Sequence, residues 1–328
     1  MINIETMKML NIQIMDYITK RGLLFFILLM TVGFYSCSDD DGFDSESVFV
    51  DEPELNPNDY TYSFDKWLEE TYLIPYNMQF RYKMQDAGAD MDYNLVPTNF
   101  EKAQQMAILV KYLWFDVYGE VVDPDFLRAY GPRIIHLIGS AASNPVQGTE
   151  ILGLAEGGLK VSLFKCNDLN YRDIEQMNEY YFKTMHHEFA HILHQQRTYP
   201  KEFEVHTAGF YDPVGWQYRT ESEAASLGCA SPYGSSQPRE DFVEIIANYI
   251  VKPQDWWDNL YDMASKPGIN SSNETVTDPI DGKLVLETKV EICRKWLKDS
   301  WGIDMDALRA EVQERQLYIE DVMGETYW

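Results

Sequence analysis

The sequence predicts an α+β protein, rich in helix with a small mixed β-sheet. Two observations carry that prediction. Apolar residues recur at steps of three or four through 172–196 and 240–250, the helical period. Two short stretches, 133–138 and 159–164, read instead as strands. Taken in chain order, Phe64–Leu73 reads as a helix. Asn99–Val117 reads as another, through Ala103, Met106, Leu109, Val110 and Leu113. Arg133–Ile138 is the first strand. Leu159–Phe164 is the second, beginning after Gly157-Gly158 and alternating Leu159, Val161 and Leu163 with Lys160, Ser162 and Phe164. Residues 172–196 hold no Pro or Gly, and Ile174, Met177, Tyr181, Met185, Phe189 and Ile192 form one stripe. Residues 197–239 hold Pro200, Gly209, Pro213, Gly215, Gly228, Pro232, Gly234 and Pro238 and read as a loop-rich insertion. Its aromatics Phe210, Tyr211, Trp216 and Tyr218 can pack inward, stack on sugar rings or receive apolar side chains. In 240–250, Phe242, Ile245, Ile246 and Tyr249 make the apolar side. A polar loop follows at 265–283, then helices near Leu284–Ser300 and Met305–Gln316.

Residues 187–191 read His-Glu-Phe-Ala-His. Side chains four apart on a helix share a face, so His187 and His191 can offer imidazole nitrogens to one point. Two imidazoles on a rigid helix supply half of a tetrahedral zinc site. Glu188 projects beside that point, where a carboxylate can take a proton from attacking water. A solvated helix rich in His and Glu can carry the same five residues without a metal. The apolar stripe on another face and an acidic helix downstream argue for the metal. The extended pattern with Gly and a third His is excluded, because those positions hold His194 and Arg197. The third ligand is sought in Glu240 and Glu244, which share a face at i, i+4. One can ligate zinc while the other accepts the remaining ring N–H of a ligating His. The spacing leaves open which does which; the preferred assignment is Glu240 as ligand and Glu244 as its partner.

His-Glu-Phe-Ala-His together with Tyr-Gly-Ser-Ser-Gln-Pro-Arg-Glu-Asp-Phe-Val-Glu (233–244) resembles the gluzincin arrangement of the anthrax lethal factor protease. That resemblance puts Glu240 on the zinc ligand and Glu244 on the carboxylate one turn later. It puts Tyr233 on a tyrosine that hydrogen-bonds the reacting carbonyl oxygen. Over most of 60–318 the chain resembles the zinc-binding metallopeptidase lipoproteins of Bacteroidetes-type bacteria, gluzincin-like proteins encoded near outer-membrane import systems. The resemblance runs through Gly-Gly-Leu-Lys-Val-Ser-Leu-Phe (157–164), both metal-helix motifs and Trp-Gly-Ile-Asp-Met-Asp-Ala-Leu-Arg (301–309). It implies a zincin-like fold in which the strand before the active-site helix sits at the sheet edge. Leu159–Phe164 is then the strand that an extended peptide pairs with.

The N-terminus agrees with a lipoprotein. Lys20 and Arg21 precede the apolar run Leu23–Val32, shorter than the about 20 residues that a membrane span needs. Ser36-Cys37 ends it and resembles a bacterial lipobox, although Phe34 and Tyr35 are bulkier than its strict form. Residues 1–36 read as the signal peptide and Cys37 as the lipid-bearing residue. Residues 37–59 read as an acidic tether, and 60–328 as a zincin-like metallohydrolase domain. Ser38-Asp39-Asp40-Asp41 resembles the export tag that sends such lipoproteins to the outer face of the outer membrane. The expected location is the cell surface, beside an import complex.

Residues 1–36 carry a net +1, which leaves −27 for the rest of a chain of net −26. Such a charge excludes a nucleic-acid partner, whose binding rests on phosphate contacts. Cys166, Cys229 and Cys293 cannot all pair; one bridge remains open, and Cys166 or Cys229 is a remote candidate as a zinc ligand. The expected chemistry is attack of water on a carbonyl of a peptide, protein or glycopeptide substrate, with one zinc held by His187, His191 and Glu240. Glu188 serves as base and Tyr233 stabilises the oxyanion. The alternatives from other classes are a non-catalytic binding component of a glycan import system and a sugar-directed deacetylase.

Overall fold

In the structure, a computed structural model, residues 55–84, 95–143, 150–151, 153–156, 159–276 and 280–328 are described. The signal peptide, Cys37 and the tether as far as residue 54 lie outside the described residues. Helix α1 (Tyr62–Leu68) buries Phe64 and Leu68, then runs on through a π turn (Glu69–Leu73) and Ile74–Tyr76. Asn77 ends it at φ 52°, a left-handed conformation that Asn tolerates. Strand β1 (Gln79–Arg81) follows. Helix α2 (Phe100–Val110) starts at Asn99, whose side chain accepts the Glu101 N–H at 2.9 Å. It continues through a second π turn, Lys111–Phe115, into Asp116–Val121.

The main sheet holds β1, β2 (Ile134–Leu137), β3 (Gly153–Glu156) and β4 (Lys160–Leu163), in the order β1-β2-β4-β3. The first three in that order run parallel and β3 antiparallel, with Phe80, Ile135, Val161 and Ala155 in register. The sheet is mixed, as the sequence predicts, and Ile135, Leu137, Val161 and Leu163 point into the core. The edge expectation for Leu159–Phe164 fails. β4 pairs with β2 on one side and β3 on the other, so its ladder is filled, and β3 takes the edge. Two small antiparallel pairs stand apart: Ala142–Ser143 with Glu150–Ile151, and Gly268–Ile269 with Thr275–Val276.

Helix α3 (Lys183–Gln196) continues without a break from Ile174–Met177 and the π turn Asn178–Phe182, all capped by Asp173. Of its predicted stripe, Met177, Tyr181, Met185, Phe189 and Ile192 are buried; Ile174, at the first turn, stays at the surface. Helix α4 (Pro238–Val251) begins with Pro at its first position, where no N–H is missed. Phe242, Ile245 and Ile246 are buried, and α4 lies along α3 as its main packing partner. Helix α5 (Gln254–Ala264) packs on α6 (Gly282–Trp296), and α6 and α7 (Met305–Gln316) pack on α4. Each fully buried Phe, Leu or Ile in this layer contributes roughly 1.5–3 kcal/mol.

The insertion 197–239 is less irregular than its composition suggests. It contains Glu202–Val205, Glu221–Ser226 and 3₁₀ turns at Gly215–Tyr218 and Tyr233–Ser236. Thr220 and Glu223 form a reciprocal capping box. Cys166, Cys229 and Cys293 are buried free thiols, so the possible bridge is absent among the described residues. There, too, no helix is long and apolar enough to cross a membrane.

Candidate metal centre

The α3–α4 contact sets the site. His187 and His191 stand one turn apart on α3, their rings 4.8 Å apart. Both turn their Nε2 atoms toward one oxygen of α4: Glu240 Oε2 lies 3.3 Å from His187 Nε2 and 3.0 Å from His191 Nε2. Among the described residues, His187, Glu188 and His191 form a group whose ligand atoms lie within 4.8 Å of one another. Neither Cys166 nor Cys229 joins that group. The structure therefore brings together His187, Glu188, His191 and Glu240. It places Glu244 differently, behind the ring of His187, with Oε1 2.9 Å from Nδ1.

The far sides of the imidazoles are tied down. Glu244 also accepts from Ser231 Oγ at 2.6 Å and from Asn248 Nδ2 at 3.3 Å, and faces Lys183 Nζ at 3.7 Å. Lys183 lies one turn before His187 on α3. Burial pushes the Glu244 carboxyl up, but Lys183, His187 and Ser231 outweigh it and hold it well below the ordinary range. An ionised Glu244 requires a proton on His187 Nδ1, which leaves Nε2 as the ligand atom. His191 Nδ1 meets His194 Nε2 at 2.8 Å. His194 is drawn down to about 4, by burial first and then by His191, so it is neutral and accepts the His191 N–H. His194 stands three residues past His191, one helical turn on, and that spacing is the signal by which the sequence could have found it.

The two oxygens of Glu240 have separate partners. While Oε2 faces the imidazoles, Oε1 receives Gln237 Nε2 at 3.3 Å and Arg239 Nε at 3.3 Å. That split favours a carboxylate that offers one oxygen. Burial raises the Glu240 carboxyl, and hydrogen bonds from His187 and His191 reverse this and bring it far down. Burial disfavours the His187 imidazolium too, yet Glu240 and Glu244 carry that ring up to about 9. A cation at Nε2 has to displace this proton. Burial raises the carboxyl of Glu188, opposed by His187 and His191. Two imidazole nitrogens and one carboxylate oxygen facing one point, with the imidazoles held from behind, match the donor types that zinc takes.

Tyr233 opens the 3₁₀ turn that leads into α4, and its ring lies 5.9 Å from that of His187. Burial and then the Glu240 carboxylate raise its hydroxyl, so it stays protonated and able to donate. The turn packs closely on α4: a Cβ at Gly234 would meet the Asp241 Cα at 3.4 Å and the Glu244 Cβ at 3.6 Å, ordinary van der Waals contact. Behind the turn, Asp241 and Lys289, both with fully buried side chains, form an ion pair, and Tyr211 donates to the same Asp241 oxygen at 2.7 Å.

Residues 58–306 match the family model described as "Putative zinc-binding metallo-peptidase". Among solved structures, the chain is similar to a crystal structure described as a putative zinc-binding metallo-peptidase from Bacteroides caccae. The identity is 40%, covering 84% of this chain and 97% of the other, with a TM-score of 0.67. No curated protein matches.

Proposed function

The chain belongs to the zinc-binding metallopeptidase family, and from that premise we propose that it is a peptidase whose zinc is held by His187, His191 and Glu240. The observation that carries the reading is the convergence of both Nε2 atoms on Glu240 Oε2, with Glu188 alongside. Zinc bound there supplies a Lewis acid for the substrate carbonyl and makes the attacking water more acidic. The residues of the chain do the rest. Glu188, its carboxyl raised by burial, takes the proton from the attacking water and returns it to the leaving amine. Tyr233 donates its O–H to the carbonyl oxygen as charge develops there. Glu244 and His194 hold the two imidazoles by their Nδ1 atoms, and Gln237 and Arg239 hold the second oxygen of Glu240.

The reading includes a location. Lys20, Arg21, the apolar run Leu23–Val32, Ser36-Cys37 and the acidic residues after it support a lipoprotein anchored through Cys37 in the outer membrane. Its outer face, next to a nutrient import system, is the proposed setting. The test is Glu188→Gln. Zinc content should remain one per chain while cleavage of a peptide library falls by about 10²–10⁴-fold. Cleavage that persists in the variant, or a protein that takes up no zinc, refutes the assignment.

A further inference from the structure

One feature of the insertion stands beside the metal cluster without serving it. The turn Gly215–Tyr218 packs on the turn Tyr233–Ser236, and Trp216 meets Tyr233 edge-to-face with ring centroids 5.0 Å apart. Tyr233 is in turn 5.9 Å from His187. Trp216 is thus two ring contacts from a metal ligand, within about three residues of an extended peptide at roughly 3.3 Å each. Val214 and Tyr218 flank it and are 76% and 79% exposed. The shelf is built, not loose. Asp212 accepts the N–H groups of Val214 and Gly215 at 3.1 and 2.8 Å. A Cβ at Gly215 would lie 2.2 Å from that carboxylate, so a side chain there would push Asp212 out of this arrangement. Asp212 N–H then donates to the Ser235 carbonyl at 3.0 Å, and Arg219 ties the Ser235 and Phe210 carbonyls together at 3.2 and 2.6 Å. Three separate links therefore fix this apolar edge to the very turn that carries Tyr233.

An apolar group held rigidly in water at the rim of a site has a cost, and it is recovered when a ligand covers it. We propose that Val214, Trp216 and Tyr218 form the specificity subsite of the enzyme and receive a large apolar or aromatic side chain of the peptide, close to the bond that is cut. Val214 at the rim favours that occupant over a sugar ring, whose hydroxyls find no partner on an isopropyl group. The inference rests on the zinc-peptidase reading above, and its test separates the two.

The probes are hydroxamates of phenylalanine and of glycine, which bind zinc through the same head group and differ only in the side chain. Titrated by calorimetry into the zinc-loaded protein, phenylalanine hydroxamate should bind about 30-fold more tightly than glycine hydroxamate, the scale of burying one aromatic side chain. Trp216→Ala should bring the ratio below about 3-fold with zinc content unchanged. Val214→Asp, at an exposed position that cannot disturb the core, should reduce it in the same direction. Equal binding of the two hydroxamates by the unaltered protein overturns the subsite and leaves the metal site standing. A preference that survives both substitutions overturns its location. Failure of both hydroxamates to bind a zinc-loaded chain overturns the metal-site reading and the subsite with it. Displacement of phenylalanine hydroxamate by N-acetylglucosamine oligomers would transfer the shelf to a sugar and refute the peptide side chain as its occupant.

Discussion

Glu240 and Glu244 are one turn apart, both buried and both bonded to His187, and exchanging each for Gln should separate their roles. Glu240 Oε2 faces two Nε2 atoms, so Glu240→Gln removes a ligand and its charge together. Glu244 meets only Nδ1, and Gln can still accept that N–H, so Glu244→Gln loses orientation and ligand basicity but no ligand. Loss of such an outer partner costs about 10–100-fold in metal affinity. That corresponds to about 1.4–2.8 kcal/mol. The structure puts the figure toward the upper end, because Lys183 at 3.7 Å and Ser231 at 2.6 Å also lose the charge they face. The assay is competition for zinc against a chelator of known affinity, followed by metal analysis of the desalted protein. Glu240→Gln should retain little zinc at chelator concentrations where Glu244→Gln is still half loaded. The reverse order, with Glu244→Gln stripped and Glu240→Gln loaded, would show that the ligand is Glu244 and that the geometry had been misread.

Three further outcomes follow from the same contacts. Tyr233→Phe should lower kcat by about 10²-fold with zinc content unchanged, since one preorganised oxyanion donor is worth about 3 kcal/mol; an unchanged kcat removes Tyr233 from the chemistry. Lys289→Met leaves the Asp241 carboxylate buried without its cation and should cost about 3–5 kcal/mol in urea unfolding, most of it regained in Lys289→Met/Asp241→Asn. His186 is buried beside Tyr118, and burial lowers it to about 3 from an ordinary value near 6.5. The unfolded chain then binds a proton that the folded chain refuses, so stability falls as pH drops through 6.5 toward 3. His186→Phe should lose about 2 kcal/mol less than the unaltered protein between pH 7 and pH 5.

The parts of this protein that were legible in the sequence are those governed by local period. The stripe Met177–Ile192 and the pair Glu240/Glu244 declare their faces because helical spacing is short-range, and the described helices end within a few residues of the predicted ones. What was not legible depends on distant partners. Strand β3 is four residues long and has little apolar pattern, so the sheet edge was assigned to β4 instead. The π turns at Asn178–Phe182 and Lys111–Phe115 carry no composition signal. Helix α5 begins behind Pro253 and was passed over, although Pro just before a helix is a start signal. The capping box Thr220–Glu223 was visible and would have reduced the insertion from one loop to several short pieces. Trp216 on Tyr233 joins residues 17 apart through a turn, which no period reveals.

The centre also explains why an acidic chain keeps lysines inside. Glu188, Glu240, Asp241 and Glu244 come from two adjacent helices and all are largely withdrawn from water, where a lone carboxylate is costly. Each is neutralised in its own way. Lys183 and His187 answer Glu244, Lys289 answers Asp241, the two imidazoles answer Glu240, and Glu188 yields by a raised carboxyl. Glu188 is the one whose role requires a proton to come and go. The two lysines are spent on carboxylates that point away from the cluster, which leaves the space between Glu240 and the Nε2 atoms with no fixed cation of its own. The charge deficit is therefore concentrated at one point, and His187 carries a proton there until a metal replaces it. A purely structural role for these helices would be served by a third lysine at that point; the chain instead keeps the position for an exchangeable cation.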